Sequence, residues 1–224
     1  MGTGISLKLA IAAVVAGSAL MGACTCQMPS HTPDLVEVIQ RASPAVVAIQ
    51  DERGILGSGF RLANTRLIVT AAHLLPSLQG GPTVVWDSRR WPARLVRLDQ
   101  DKDLALIELD VDAPMPGLHL ASGSPPPSAG EWILVLGCPF GARTTATVGI
   151  VSAAPGAVLE PAALRKRMQL NAAVNPGNSG GPVVNFSGLV VGIANATIPG
   201  GHGLGFAIPV AELQALLAEP TRGP

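Results

Sequence analysis

Tyrosine is missing altogether from this chain of 224 residues, and four phenylalanines and three tryptophans make up its aromatic content. Stacked rings cannot supply the core on that composition, so it must be built largely from Val, Ile, Leu and Ala. Charge is scarce as well: only 13% of residues carry it, and 15 basic side chains balance 15 acidic ones. A protein that neutralises phosphates needs a basic excess, so no nucleic-acid partner is expected. The cysteines Cys24, Cys26 and Cys138 form an odd set, too small for a disulfide framework. No internal repeat is visible in the sequence, and no metal or organic cofactor is expected.

Glycine and proline are plentiful, at 26 and 20 residues. They cluster most tellingly in Val174-Asn175-Pro176-Gly177-Asn178-Ser179-Gly180-Gly181-Pro182-Val183-Val184, a serine in a tight turn between apolar segments. A serine hydroxyl is a poor nucleophile unless a base takes its proton and donors hold the oxyanion formed on attack. Glycines reach conformations closed to other residues, which lets the N–H groups of Gly177 and Ser179 converge on one small space. The plain alternative is a surface turn, since Gly, Asn, Ser and Pro are ordinary turn residues.

A base must therefore be found. Of the four histidines, His31 follows the N-terminal apolar segment, His119 lies in a Pro/Gly-rich connector and His202 lies between glycines; all three read as solvated loop residues. His73 instead ends the apolar run Leu67-Ile68-Val69-Thr70-Ala71-Ala72. Imidazole is the side chain best suited to general-base work near neutrality, although a strand-closing histidine can also be merely structural. Asp103 opens the aliphatic run Leu104-Ala105-Leu106-Ile107, where a carboxylate reaches the edge of the core and can orient an imidazole. Asp99, Asp101, Asp110 and Asp112 lie in polar stretches on either side and read as turn residues.

The order His73, Asp103, Ser179, with Thr70-Ala71-Ala72-His73, Asp103-Leu104-Ala105-Leu106 and Gly177-Asn178-Ser179-Gly180-Gly181-Pro182 around them, resembles the chymotrypsin clan. More specifically it resembles the HtrA (Deg) family of ATP-independent bacterial proteases. Gly57-Ser58-Gly59-Phe60, Gly137-Cys138-Pro139-Phe140-Gly141, Gly149-Ile150-Val151-Ser152 and Gly203-Leu204-Gly205-Phe206-Ala207-Ile208-Pro209 add to the match, which runs from about Asp34 to about Leu217. The resemblance implies a serine endopeptidase working by acyl transfer on unfolded or misfolded proteins. Ser179 is then the nucleophile, His73 the general base and Asp103 its orienting carboxylate. Gly177 and Ser179, joined by Asn178, form the oxyanion hole. The pocket for the residue before the cut is lined by Asn171, Ala172, Ala173, Val174 and Leu204. None of these carries charge, which implies cleavage after small or medium aliphatic residues. A proteolytically silent chaperone-like or binding protein on the same fold is the rival from another class; no member of the triad is missing, which disfavours it. An esterase is a third reading, and the chain lacks the Gly-x-Ser-x-Gly elbow that an α/β-hydrolase would show.

The residue pattern agrees on fold class. Six apolar, β-branched runs fall around 45–50, 55–62, 66–70, 82–87, 91–98 and 103–109. Six more fall around 131–137, 144–153, 165–172, 181–185, 188–196 and 204–208. A Pro-rich stretch from Ala113 to Pro127 separates the two sets. The resemblance implies an all-β fold of two six-stranded antiparallel barrels with the triad at their junction. Barrel one then covers about 34–112 and barrel two about 128–209. Helices are expected over about 34–41, with Pro33 in the first turn, and about 210–218.

Residues 1–26 read as a leader, and 27–224 as the protease domain. Lys8 precedes an apolar run from Leu9 to Ala23, of signal-peptide length. Leu20-Met21-Gly22-Ala23-Cys24 resembles a bacterial lipobox, which makes Cys24 the lipidation candidate. Ordinary cleavage and an uncleaved anchor are the alternatives, and all three place the catalytic domain outside the cytoplasm. A periplasmic or cell-envelope lipoprotein is the resulting expectation. About fifteen residues follow Pro209, too few for the PDZ domain usual in the family. A homotrimer follows from the family alone, because Gln27 to Gln50 lacks the aromatic residues that family trimers commonly use. Activation by a new N-terminal amine is not expected, since the residue before the serine is the uncharged Asn178.

Overall fold

A computed structural model describes residues 34–51, 54–75, 81–122, 126–139, 143–157, 164–197 and 203–219, the side chains of Ala196 and Thr197 excepted. Among these residues, twelve strands form two closed barrels. The first contains β1 (Val46–Asp51), β2 (Gly54–Arg61), β3 (Leu67–Ala71), β4 (Thr83–Trp86), β5 (Arg89–Asp99) and β6 (Leu104–Leu109). The second contains β7 (Trp132–Gly137), β8 (Thr145–Ala153), β9 (Met168–Asn171), β10 (Pro182–Asn185), β11 (Val190–Thr197) and β12 (Gly205–Pro209). Neighbours run β1-β2-β3-β6-β5-β4 around one barrel and β7-β8-β9-β12-β11-β10 around the other. The order is the same in both halves, although their sequences show no repeat. Closure pairs each of these strands on both sides, so none of them presents an open sheet edge.

Among the described residues, three clusters of buried side chains hold this arrangement. Val47, Ile49, Ile68, Ile107 and Leu109 belong to a cluster drawn from barrel one, and Ile133, Val135, Val151, Leu170 and Val183 to one from barrel two. The third joins Phe60, Val69 and Leu104 of barrel one to Leu134, Leu136 and Ile193 of barrel two. It also takes in Val38 of helix α1 (Leu35–Ala42) and Leu213 and Leu216 of helix α2 (Val210–Ala218). Each such side chain, once fully buried, contributes about 1.5–3 kcal/mol. The aliphatic residues thus make the core that the missing aromatics could not.

The expected elements shift by a few residues. Asp34 caps α1, its Oδ1 accepting from the Val36 N–H at 2.9 Å, so the helix starts one residue later than its pattern suggested. Strand β5 begins at Arg89, two residues early, because Asp87 and Ser88 (φ 49° and 60°) make a two-residue hairpin with β4. The run expected at 165–172 is strand only from Met168. Before it, the Arg167 N–H closes a turn onto the Leu164 carbonyl (2.9 Å).

Candidate active site

Barrel one holds a histidine and an aspartate just beyond the ends of two paired strands. Ala71 at the end of β3 faces Leu104 at the start of β6, so the residues just beyond them meet. The Ala72 N–H donates to the Asp103 carbonyl at 3.1 Å. The His73 N–H donates to Asp103 Oδ1 at 2.7 Å, and His73 Nδ1 lies 2.7 Å from Asp103 Oδ2. Asp103 has φ 59°, in the left-handed region that few side chains enter and that Asp tolerates better than most. Burial pushes its carboxyl up, but the bonds from the His73 ring and backbone, the His73 charge and the Asn195 amide outweigh burial, and the group lies below the ordinary carboxylate value. The His73 side chain is 46% exposed, so the imidazole remains accessible while its partner is sheltered.

Barrel two contributes the glycine-rich turn before β10. Gly177 has φ 95° and Gly180 φ 84°; a Cβ on Gly180 would stand 2.2 Å from the Ser58 carbonyl oxygen. Only glycine lets the turn press this closely on barrel one. Ser58 ties the two together. Its N–H donates to the Ser179 carbonyl (2.8 Å), and its Oγ donates to the Gly177 carbonyl (2.5 Å) while accepting from the Cys138 N–H (2.7 Å). Among the described residues, the N–H groups of Gly177 and Ser179 meet no acceptor. Asn178 departs from expectation: its N–H donates to the Asn175 carbonyl at 2.9 Å and its side chain is buried against Gly137, so it is no donor to an oxyanion.

Sequence reading missed Asn195, which links the two halves. Its Nδ2 donates to Asp103 Oδ2, and its backbone carbonyl accepts from Ser179 Oγ at 3.2 Å. The serine hydroxyl is thus turned to β11 rather than to the His73 ring. A polar residue directly after the apolar run Val190 to Ala194 was the available signal, because a buried amide needs partners. Of the residues named for the pocket, Ala172 and Val174 are buried in the barrel-two cluster, Asn171 and Ala173 are exposed, and Leu204 is half-buried. The start of β12 lies against them, since a Cβ on Gly205 would stand 2.6 Å from Val174 Cγ2. Among the described residues, no group of three His, Cys, Asp or Glu side chains could hold a metal ion. None of their helices is long and apolar enough to cross a membrane, and Cys24 and His202 lie outside the described residues.

The fold and this arrangement define a class, and comparison with known proteins narrows it. The family described as "Trypsin-like peptidase domain" matches residues 57–193, which include His73, Asp103 and Ser179. A relative from Chlamydia pneumoniae, "Probable periplasmic serine endoprotease DegP-like", is 35% identical over 163 residues, covering 71% of this chain and 33% of that protein. "Serine protease HTRA4" from Homo sapiens is 34% identical over 198 residues, covering 83% of this chain and 41% of that protein. The crystal structure of the serine endoprotease from Yersinia pestis superposes with a TM-score of 0.69 at 30% identity, covering 81% of this chain and 64% of that one. The chain belongs to the HtrA/DegP-type trypsin-like serine proteases. It spans between a third and a half of the length of these curated relatives.

Proposed function

We propose that this chain is a serine endopeptidase of the cell envelope that cleaves unfolded or misfolded proteins through an acyl-enzyme. The observation that carries the reading is the 2.7 Å contact between His73 Nδ1 and Asp103 Oδ2, opposite a turn whose Gly177 and Ser179 N–H groups meet no acceptor among the described residues. Ser179 attacks the scissile carbonyl, His73 takes its proton and returns it to the leaving amine, and Asp103 orients His73 and stabilises the imidazolium. The N–H groups of Gly177 and Ser179 hold the oxyanion. For the His73 ring to receive the proton, the Ser179 side chain must leave the Asn195 carbonyl by rotating about χ1.

Uncharged Asn171, Ala172, Ala173, Val174 and Leu204 favour cutting after Val, Ala or Leu. A periplasmic or envelope location is supported by the name of the chlamydial relative. Acylation at Cys24 would place the protein on the membrane, and a homotrimer is the family's arrangement. The domain boundaries proposed are a leader over 1–26 and a protease domain over 27–224.

Labelling by a fluorophosphonate probe tests the reading. Wild-type protein should be labelled and should digest casein after aliphatic residues, and Ser179→Ala should do neither. Undiminished casein cleavage by Ser179→Ala would overturn the assignment of the nucleophile, and dominant cutting after Lys or Arg would overturn the pocket.

A further inference from the structure

Arg167 is the most unusual group near the triad. It stands just before β9 and is only 7% exposed. A buried cation is costly unless opposite charge and hydrogen bonds compensate it. Burial lowers its pKa, and the negative charges of Asp103 and Glu212 pull the other way. Its Nε donates to Asn195 Oδ1 at 3.1 Å, and Asn195 is itself only 8% exposed. A carboxamide has one acceptor end and one donor end. With Oδ1 taken by Arg167, the NH2 end faces Asp103 Oδ2, where it donates beside the His73 ring. The reversed amide would set its oxygen against the carboxylate and its NH2 against the guanidinium, two contacts without a hydrogen bond.

We propose that Arg167 is a positioning residue: it locks the Asn195 amide so that Asp103 is held in the orientation that meets His73, and it touches neither substrate nor the reacting atoms. The inference rests on the reading of His73, Asp103 and Ser179 as the triad. The Asn195 main chain carries the acceptor of the Ser179 hydroxyl, so fixing this one residue also fixes where the nucleophile rests. Residues that hold the ligands of a reacting centre in place typically change activity by about 10–100-fold when removed.

The test uses the full chain with Arg167→Met, Arg167→Lys, Asn195→Leu and the Arg167→Met/Asn195→Leu double variant, assayed on one peptide substrate and by thermal unfolding. Arg167→Met should lower kcat by about tenfold or more with KM within about twofold. Its Tm should change little, because losing the donor to the buried Asn195 Oδ1 offsets the gain from no longer burying a charge. Arg167→Lys, which keeps a donor and the charge, should recover most of kcat. The double variant should be no slower than the slower single one, since the two residues act in series. Wild-type kcat in Arg167→Met, additive losses, or a kcat loss that tracks a fall in Tm would each overturn the proposal. Ser179→Ala keeps the two readings apart. Hydrolysis and probe labelling that survive it refute the triad and this inference together; Ser179-dependent hydrolysis that Arg167→Met leaves intact refutes this inference alone.

Discussion

Two barrels with one strand order carry opposite kinds of machinery. Barrel one supplies a rigid pair: β3 and β6 are hydrogen-bonded neighbours, and His73 and Asp103 meet because Ala71 faces Leu104. Its precision comes from pairing within one sheet and a single aspartate held at φ 59°. Barrel two supplies a turn of backbone donors that its own sheet holds only in part. Gly180 N–H reaches the Ala194 carbonyl at 2.8 Å, but the Gly177 carbonyl and the Ser179 carbonyl are both gripped by Ser58 of barrel one. The His73–Asp103 pair is therefore prepared largely within one barrel, while Ser179 and the Gly177 and Ser179 N–H groups take their geometry from the contact between barrels. Asn195 is what barrel two lends in return.

The largest effect should come from barrel one. Asp103→Asn cannot accept from both the His73 ring and its backbone as a carboxylate does, and kcat should fall on the order of 10⁴-fold with the fold intact; a loss under tenfold would show that the pair is not the working base. Gly180→Ala strikes the docking of the turn. At φ 84° with a Cβ 2.2 Å from the Ser58 oxygen, it should cost about 3 kcal/mol in urea unfolding and most of the activity. Ser58→Ala is milder: it removes the hydroxyl that accepts from the Cys138 N–H and donates to the Gly177 carbonyl, costs about 1–3 kcal/mol, and should lower kcat more than it raises KM. A silent Ser58→Ala would mean that barrel two holds the glycine-rich turn unaided.

Acid separates the halves further. The Asp103 carboxyl is held below its ordinary value, so its contribution to stability is complete above about pH 4 and is lost as pH falls through the native value. The Tm gap between wild type and Asp103→Asn should be steady from neutral pH to about pH 5 and should narrow below about pH 4. The smallest effect belongs to the rim. Lys102 bridges Asp99 and Glu219 on the surface (3.0 and 3.2 Å), and Lys102→Met should change stability by no more than about 1 kcal/mol and leave kcat unchanged.

Most of the strand plan was legible because buried, β-branched runs separated by Gly, Pro and Asn announce short strands. Boundaries slipped where a turn was closed by geometry rather than by residue type, as at Asp87-Ser88 and before Met168. His73 and Asp103 stood out because one ends and the other opens an apolar run, where a strand delivers a polar side chain to the edge of the core, and Ser179 because it sits in a glycine-rich turn between apolar segments. Asn195, Arg167 and Ser58 did not. An asparagine in an apolar strand, an arginine in the basic run Arg165-Lys166-Arg167 and a serine between two glycines each have ordinary readings until their partners are known.

By itself the chain's order of residues determined the composition of the core, the places of the strands and the chemical types near the site, because these follow from local periodicity and side-chain chemistry. The tertiary structure alone decided that the two halves share one topology and that Asn178 N–H turns inward while those of Gly177 and Ser179 do not. It also decided that Asp103 is held by groups from both barrels. The contacts among Ser58, Ser179, Asn195 and Arg167 join residues distant along the chain. Their distances and hydrogen-bond directions come into being only when the barrels close and pack.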